Sequence, residues 1–499
     1  MNERACGVLL HITSLPSPYG IGTLGAEAEK FADWLKSAGQ SYWQVLPIGP
    51  TGYGDSPYQP FSSFAGNPLM IDLDELCEQG LLSKADCENA DFGADPDYVD
   101  FGKISATRDT LLRKAAASFV DDVGFTSFML EQQDWLDDYA LFTALKRKSG
   151  GRPWTQWNND IKLRKPEAIA VCREELSDEI RYVKFCQYTF FRQWANFRNM
   201  CNSRGIKIIG DIPIYVSPDS SDVWAHPDLF ELDERLNPRR VAGVPPDYFS
   251  KTGQLWGNPL YNWAEMKKDG YSWWTERVRK SAELYDMLRI DHFRAFDTYY
   301  AIPFGEKTAE HGEWVQGPGM DLFGTIKNKL GNVNIIAEDL GDIFDSVKKL
   351  LSDTGFPGMR VLQFGFNPEN CDNDHLPHNY PKNSVCYTGT HDNATFKQWY
   401  KEADKKTRKM ARRYFNKFLS TPISRSGIRC AYSSPSFLTI IPMQDILGLG
   451  AKARMNVPST LGGNWSWRMG KRSLRKGDAK RLYHLAESYQ RLPKDKNDK

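Results

Sequence analysis

Four acidic residues stand near the C-terminal ends of short apolar segments of this 499-residue chain. They are Asp211 in KIIGD, Asp291 in MLRID, Glu338 in NIIAED and Asp392 in YTGTHD. A carboxylate within a buried strand costs free energy unless it is paired or faces a polar site. A single acid of this kind is more simply explained as a helix cap or as the partner of an arginine. Four acids at equivalent positions instead predict an acidic catalytic cluster.

Carboxylate clusters either bind hard metal ions or cleave glycosides, and the neighbouring residues favour the second chemistry. Carboxylate oxygens are suitable ligands for Mg²⁺ or Ca²⁺. However, Arg289 lies two residues before Asp291 and therefore on the same face of a strand. A cation at that point repels a metal ion but keeps Asp291 ionised as a nucleophile. His391, beside Asp392, is well placed to hydrogen-bond sugar hydroxyls. We therefore expect no metal site.

Cleavage of a glycoside needs one ionised carboxylate and one that carries a proton near neutral pH. It also profits from aromatic rings, whose flat faces stack on sugars. Aromatic residues form 13% of the chain, with 15 Trp and 22 Tyr, although a large core also uses such rings. Candidate sugar platforms lie in the predicted loops around the site: Tyr53, Tyr58, Tyr248, Phe249 and Trp256.

One competing motif points to a nucleotide. Residues 448–453 read GLGAKA, which fits the GxGxxG/A pattern after a strand. A dinucleotide fingerprint should begin a βαβ unit and be followed by an acid about 20 residues later. Neither a second strand nor such an acid follows here. The glycines are better explained by a turn, and we expect no cofactor.

Eight short apolar runs predict buried parallel strands, and helical patterns separate many of them. The predicted strands are residues 7–15, 43–47, 207–216, 287–296, 334–340, 359–366, 384–392 and 437–447; clear helical patterns cover 26–38, 272–285 and 320–330. Alternating strands and helices are typical of an α/β fold, and eight strands is the number in a TIM-type (β/α)8 barrel. The C-terminal ends of barrel strands meet at one mouth, where the four acids would converge.

The spacing of these strands predicts how the barrel is divided along the chain. A charged stretch with helical periodicity predicts a large helical insertion after strand 2, and a stretch rich in Pro, Gly and aromatics predicts a loop-rich insertion after strand 3. The expected units are strands 1–2 in 1–73, the helical insertion in 74–204, strand 3 in 205–216, the loop-rich rim of the site in 217–275, and strands 4–8 with a C-terminal helix in 276–499.

The charge balance indicates which partners the chain does not bind, and the cysteine usage indicates its compartment. Lys and Arg number 64 and Asp and Glu 63, which gives no overall electrostatic case for nucleic acid or an anionic membrane. No stretch approaches the roughly 20 apolar residues of a membrane span. The nine cysteines are scattered, with no CxxC pair, which is typical of reduced thiols. We expect a cytoplasmic protein that binds neither nucleic acid nor membrane.

Several segments together resemble one known family. They are SPYQPFSSFAGNP, GDIPIYV, GVPPDYFSKTGQLWGNP, RIDHFRAF, AEDLG, GTHDN and GLGAKARMN with GNWSWR, spread in order from about residue 7 to residue 468. In these segments the chain is similar to the 4-α-glucanotransferases of glycoside hydrolase family 77, the amylomaltases or disproportionating enzymes of the α-amylase clan. The resemblance implies a (β/α)8 barrel without a C-terminal β-sandwich domain. It also implies transfer of α-1,4-glucan segments between malto-oligosaccharides, starch or glycogen-type glucans.

The resemblance also implies roles for individual residues. Asp291 matches the nucleophile, Glu338 the general acid/base, and Asp392 the acid that grips the reacting sugar. Supporting positions around that sugar match Tyr58, Asp211, Arg289 and His391, and acceptor positions match Asp247, Tyr248, Phe249 and Trp256. No histidine follows Asp211 in GDIPIYV, unlike the α-amylase pattern. Two alternatives remain open at this point: an α-amylase-like hydrolase of α-1,4-glucans and a non-catalytic glucan-binding protein.

Overall fold

The computed structural model describes residues 3–246, 250–341, 343–370, 373–416 and 421–494. In chain order the strands of this part are β1 (Ala5–Leu9), β2 (Tyr42–Gln44), β3 (Lys207–Pro213), β4 (Arg240–Val244), β5 (Gln254–Pro259), β6 (Met287–Asp291), β7 (Thr298–Pro303), β8 (Glu313–Gln316), β9 (Ile335–Ala337), β10 (Gly358–Val361), β11 (Ser384–Tyr387) and β12 (Leu438–Pro442).

The α-helices of the same residues are α1 (Ala26–Ser37), α2 (Leu73–Glu78), α3 (Lys84–Glu88), α4 (Phe101–Ser118), α5 (Val123–Glu131), α6 (Gln133–Lys148), α7 (Asn159–Lys162), α8 (Pro166–Glu175), α9 (Ser177–Ser203), α10 (Ser221–Ala225), α11 (Trp263–Lys268), α12 (Ser272–Leu284), α13 (Gly319–Leu330), α14 (Asp345–Thr354), α15 (Phe396–Glu402), α16 (Lys405–Tyr414), α17 (Ile423–Ser433), α18 (Met443–Ile446) and α19 (Lys476–Ser488). Within the described residues, no helix combines the length and apolar character needed to cross a bilayer.

Eight strands close into a barrel in the order β1, β12, β11, β10, β9, β6, β3, β2. Every neighbouring pair in this barrel is parallel. The strands are short and apolar, and all five residues of β12 are buried. Strands covered on both faces are expected to read as nearly continuous apolar runs. The predicted (β/α)8 barrel is therefore confirmed, and each of the eight predicted runs contributes one barrel strand.

The barrel strands end earlier than the apolar runs predict, because the chain has to turn at the mouth. The run 287–296 yields β6 only as far as Asp291, and Phe293–Phe296 forms a short 3-10 helix. Likewise β11 stops at Tyr387, five positions before Asp392. Residues at the ends of these runs therefore lie in turns above the barrel, where side chains can reach across its mouth.

A second sheet corrects the expectation that residues 217–275 have little regular structure. Strands β5, β4, β7 and β8 form a four-stranded antiparallel sheet in that order. β4 pairs with β5 through an irregular register between Val241 and Gly243, and with β7 on its other side. Short strands that contain glycine and proline carry a weak alternating pattern, which is why the sequence did not predict them. This sheet lies in the chain on both sides of β6, the strand that carries Asp291.

Candidate active site

The four acids predicted from the sequence sit at one end of the barrel. Asp211 lies within β3, Asp291 is the last residue of β6, Glu338 directly follows β9, and Asp392 lies in the turn after β11. β3, β6 and β9 are consecutive neighbours in the barrel. Because Ile290 pairs with Ala337, Asp291 and Glu338 each lie one residue beyond a paired position. Parallel strands thus bring residues from distant parts of the sequence to one mouth.

Arg289 joins two of these acids. It is the cross-strand partner of Asp211 in the pairing of β3 with β6. Its Nη1 donates to Asp211 Oδ1 and Oδ2 at 2.7 and 2.6 Å, while its Nη2 contacts Asp291 Oδ1 at 2.8 Å. The Arg289 and Asp211 side chains are only 4% and 0% exposed, so this ion pair is buried. The guanidinium therefore fixes the Asp291 carboxyl group and favours its ionised form.

Tyr58 completes the surroundings of Asp211. Its hydroxyl donates to Asp211 Oδ2 at 2.8 Å, and the ring stacks on His391 with centroids 4.9 Å apart. Burial, reinforced by the negative charge of Asp211, raises the pKa of Tyr58 well above its usual range. The hydroxyl consequently stays protonated and remains a hydrogen-bond donor.

Glu338 is placed to hold a proton near neutral pH. Its Oε2 accepts the backbone N–H of His292 at 2.7 Å, and its Oε1 accepts that of Leu340 at 2.8 Å. The pKa of Glu338 is raised to about 7, first by burial and second by the negative charge of Asp291. Arg289 and the two amides oppose this rise. Burial also raises the pKa of Asp291, but its contact with Arg289 opposes that effect. The proton shared by this pair therefore belongs on Glu338.

His391 and Asp392 form a second polar pair in the turn after β11. His391 Nε2 lies 3.3 Å from Asp392 Oδ2, and the Asn456 side-chain amide donates to Asp392 Oδ1 at 2.6 Å. Burial works against ionisation of Asp392, yet His391 and Asn456 hold its pKa at about 2. Burial alone would lower the pKa of His391, but the Asp392 carboxylate raises it overall. Asp392 is thus a fixed negative charge at the mouth.

Aromatic rings surround the two polar pairs. Trp465 packs against Tyr58 and His391, with ring centroids 5.6 and 5.8 Å apart. Trp256 of β5 meets the His292 ring edge-on, with centroids 4.8 Å apart. The half-buried Trp256 brings the second sheet to the same mouth as Glu338. Such rings offer apolar faces beside hydrogen-bonding groups, the combination that a sugar requires.

Eight of the candidate site residues have their side chains in the part of the chain that the structure describes, and all eight are placed around the mouth. Those placed around the mouth are Asp291, Glu338, Asp392, Tyr58, Asp211, Arg289, His391 and Trp256. Asp247, Tyr248 and Phe249 lie outside the described residues.

Sequence reasoning assigned no role to Asn456, Trp465 or the backbone of His292. Asn456 and Trp465 lie in the motif GLGAKARMN with GNWSWR, which contributed only to the family resemblance. These two residues could have been found from the sequence, because they belong to a polar and aromatic cluster after the last barrel strand, where loops reach the mouth. The signal for His292 was its position directly after Asp291.

The donor set at the mouth suits a sugar better than a metal ion. Both oxygens of Asp211 and the Oδ1 of Asp291 are engaged by Arg289, and the two oxygens of Glu338 by main-chain amides. Across the described ranges, no group of three or more His, Cys, Asp or Glu side chains is arranged to hold a metal ion. The arrangement can instead supply a nucleophile, a proton donor and a fixed negative charge.

Comparison with known sequences agrees with this geometry. A family model described as 4-alpha-glucanotransferase, glycoside hydrolase family 77, matches residues 10–473. The chain is 49% identical over 486 residues to the 4-alpha-glucanotransferase of Clostridium butyricum, covering 97% of this chain and 100% of the relative. It is 50% identical over 497 residues to the 4-alpha-glucanotransferase of Streptococcus pneumoniae, covering 99% and 98% respectively.

Solved structures show the same relationship. The amylomaltase from Streptococcus agalactiae, solved in complex with acarbose, matches with a TM-score of 0.96 at 43% identity, covering 98% of this chain and 100% of that one. The amylomaltase from Corynebacterium glutamicum matches with a TM-score of 0.79 at 17% identity, covering 98% and 75%, a likeness of fold alone. The sequence matches, the barrel and the acids at its mouth show that this chain belongs to the 4-alpha-glucanotransferases of glycoside hydrolase family 77.

Proposed function

We propose that the chain transfers segments of α-1,4-glucans, such as malto-oligosaccharides, from a donor to an acceptor glucan by a retaining double displacement. The observation that carries the residue assignment is the contrast between two neighbouring carboxyl groups. Asp291 contacts the guanidinium of Arg289, whereas Glu338 is buried beside Asp291 with a pKa raised to about 7. A retaining glycosidase needs this division into one nucleophile and one proton donor.

The first displacement cleaves the donor. Glu338 gives its proton to the glycosidic oxygen while Asp291 Oδ attacks the anomeric carbon, so the C–O bond to the leaving sugar breaks as the ester bond forms. The product is a β-linked glucosyl ester on Asp291, and the departing glucan keeps the proton. Glu338 is left ionised.

The second displacement uses the same two carboxyl groups in reversed roles. Asp291 carries no charge while it is esterified, which removes the second-largest cause of the high pKa of Glu338. Its carboxylate, still held by the two main-chain amides, takes the proton of the acceptor 4-hydroxyl as that oxygen attacks the anomeric carbon. Two inversions restore the α configuration. No cofactor enters either step.

The remaining residues at the mouth hold the reacting sugar. Asp392, with a pKa of about 2, remains ionised across the working pH range and supplies a negative charge that stabilises the positively charged transition state. Its neighbour His391 donates to a sugar hydroxyl. Tyr58, whose ring stacks on His391, lines the sugar site beside it. The ion pair of Arg289 with Asp211 keeps the nucleophile in position.

Transfer requires that a sugar hydroxyl outcompete water. Oriented groups reach effective molarities of about 10⁵ M or more, which exceeds the concentration of bulk water by a wide margin. The segment between β4 and β5 is our candidate for holding the acceptor, with Asp247, Tyr248 and Phe249 at its centre and Trp256 beyond it in β5. Their aromatic rings would cover the acceptor sugar and displace water.

Incubation with maltotriose alone tests this function. We expect glucan chains longer than maltotriose together with shorter products, separated by size. The same products must vanish with the variant Asp291→Asn, which keeps the shape of the side chain but lacks a carboxylate nucleophile. Products that are only shorter than maltotriose would identify a hydrolase instead.

A further inference from the structure

His292, the residue after Asp291, has an uncommon backbone conformation. Its φ of 55° and ψ of 46° place it in the left-handed region, although it is not glycine. For an L-residue with a Cβ this conformation costs about 1–2 kcal/mol. Histidine tolerates it better than most residues, whereas β-branched residues tolerate it worst. Strain of this kind persists only where the surrounding structure enforces it, and it is concentrated at functional sites.

The left-handed turn directs two successive amides onto one residue. The N–H of His292 donates to the side-chain Oε2 of Glu338 at 2.7 Å. The next N–H, that of Phe293, donates to the main-chain oxygen of Glu338 at 3.0 Å. In an extended strand, successive N–H groups point in opposite directions, so both bonds to one residue require a sharp turn at position 292. The turn thus fixes the side chain and the backbone of Glu338 together.

The imidazole ring of His292 contributes packing, and no charge. It meets Trp256 edge-on at 4.8 Å. Burial lowers its pKa to about 3, so the ring is neutral whenever the enzyme operates. The charged side chains that act on Glu338 are Asp291 and Arg289, both on β6. Among the groups around Glu338, position 292 therefore acts through its main chain.

We propose that the left-handed backbone of His292 makes it a positioning residue for Glu338, holding the carboxyl group that donates and accepts the proton. This inference rests on the proposed acid/base role of Glu338. The N–H of His292 favours the ionised carboxylate, so its loss raises the pKa of Glu338 and leaves the carboxyl group less firmly oriented. Backbone conformation, and not the imidazole ring, is then the property that matters at this position.

Three substitutions separate the backbone from the ring. His292→Gly and His292→Asn both remove the imidazole but accept a left-handed conformation, whereas His292→Val removes it and resists that conformation. The measurement is kcat and kcat/KM for maltotriose as a function of pH, with Tm recorded for each variant. We expect the Gly and Asn variants to keep the basic limb of kcat/KM near its original pH. The Val variant should move that limb upward by about half a pH unit or more and lower kcat about tenfold or more.

A matched control isolates the cost of strain itself. Gln490 also has a positive φ, 55°, but lies in the exposed turn after α19, outside the rim of the site. Gln490→Val should lower Tm without moving the pH profile. The inference is overturned if the Gly and Asn variants shift the limb as far as the Val variant, or if the Val variant keeps the original limb and kcat. The acid/base role itself is tested separately: if Glu338→Gln retains the activity and basic limb of the parent enzyme, the proposed function fails first.

Discussion

Asp291 and Glu338 occupy equivalent positions on neighbouring strands, yet their surroundings give them different chemistry. Asp291 keeps 29% of its side chain exposed and touches the cation of Arg289. Glu338 is 9% exposed and is held by two uncharged amides. Loss of solvent penalises an ionised carboxylate, and a contact with a cation offsets that penalty at Asp291 but not at Glu338. The proton therefore resides on Glu338. Two acids with the same reactive group can therefore act as nucleophile and as proton donor.

The pH dependence of the first step follows from this assignment. Glu338 must be protonated to cleave the donor, and its pKa is raised to about 7. We therefore expect kcat/KM for maltotriose to fall as pH rises through about 7, since the ionised form cannot donate. As a control, α-glucosyl fluoride carries a leaving group that needs no proton, so its kcat/KM should lack this basic limb. The same limb with both substrates would argue against a general acid.

At the scale of residues, the sequence predicted acids better than it predicted their supports. Asp291 with Arg289 and Asp392 with His391 could be recognised because two residues of suitable chemistry stand close together in the chain. Asn456 reaches Asp392 from 64 positions away, a contact that only the closed barrel creates. The left-handed conformation of His292 likewise has no local signature, because histidine carries no strong preference for it.

At the scale of elements, the buried pair of Asp211 and Arg289 joins β3 to β6. Breaking such a pair leaves an uncompensated charge, which costs about 3–5 kcal/mol, whereas replacing both partners by apolar residues is often neutral. We expect Arg289→Leu to be strongly destabilised in urea unfolding. The double variant Asp211→Leu with Arg289→Leu should recover most of that stability but not the activity, because Asp291 still lacks its guanidinium. Recovery of activity in the double variant would show that Arg289 serves the fold alone.

The segment between β4 and β5 is the element that we expect to separate transfer from hydrolysis. Pro245 and Pro246 restrict the backbone before Tyr248 and Phe249, which favours presentation of the two rings. Replacing either ring by Ala should weaken acceptor binding more than bond cleavage. The ratio of hydrolysis to transfer from maltotriose should then rise, measured for variants of equal Tm. An equal fall in both reactions would assign the rings a general supporting role.

The barrel was predictable because its strands are continuous apolar runs, and the second sheet was not. A run such as FLTIIPMQDIL stands out from any polar background. Strands β4 and β8, RVAGV and EWVQ, are short, carry glycine or charge, and are partly exposed. Their pairing depends on neighbours that lie on both sides of β6 in the chain. Long-range pairing of this kind leaves little trace in a local pattern.

At the scale of the whole molecule, we propose that the chain is one barrel with two insertions. The helices α2 to α9 lie between β2 and β3, and the long α9 contacts α4, α5 and α6 as well as β3. Residues 74–204 would then be a helical layer built on the outside of the barrel, and 217–275 a rim over its mouth. Limited proteolysis that cuts at the borders of 74–204 before cutting the barrel would support this division.

A buried arginine near the C-terminal end of the described chain, Arg491, contributes to the closure of the molecule. Arg491 donates to the carbonyl oxygens of Ala5, Tyr432, Ser434, Ser436 and Phe437, and so ties the residues after α19 to β1 and to the segment before β12. Arg4 also donates to the oxygens of Tyr432, Ser434 and Ser436, so the loss of Arg491 does not leave these carbonyls without a donor. Arg491→Ala instead loses five hydrogen bonds of a fully buried side chain, each worth about 0.5–1.5 kcal/mol net, and opens a cavity. We expect Arg491→Ala to lose at least about 3 kcal/mol in unfolding free energy, with kcat unchanged well below its Tm.

Arg429 provides the control for this prediction. It lies on the surface of α17 and donates to the hydroxyl of Tyr489 at 3.2 Å. Arg429→Ala should change stability by no more than about 0.5 kcal/mol, because exposed contacts contribute little. Equal losses for the two variants would mean that the buried hydrogen bonds of Arg491 do not hold the barrel closed.

The central claim, that Asp291 forms a covalent bond to glucose while Glu338 handles the proton, can be tested by trapping. In Glu338→Ala, α-glucosyl fluoride should still glucosylate the enzyme, because fluoride leaves without a proton, but the second step lacks its base and the ester should accumulate. We expect intact-protein mass spectrometry to show the addition of one glucosyl group, and peptide mapping to place it on Asp291. A label on another residue, or turnover of the fluoride with no label in either Glu338→Ala or the parent enzyme, would contradict the account.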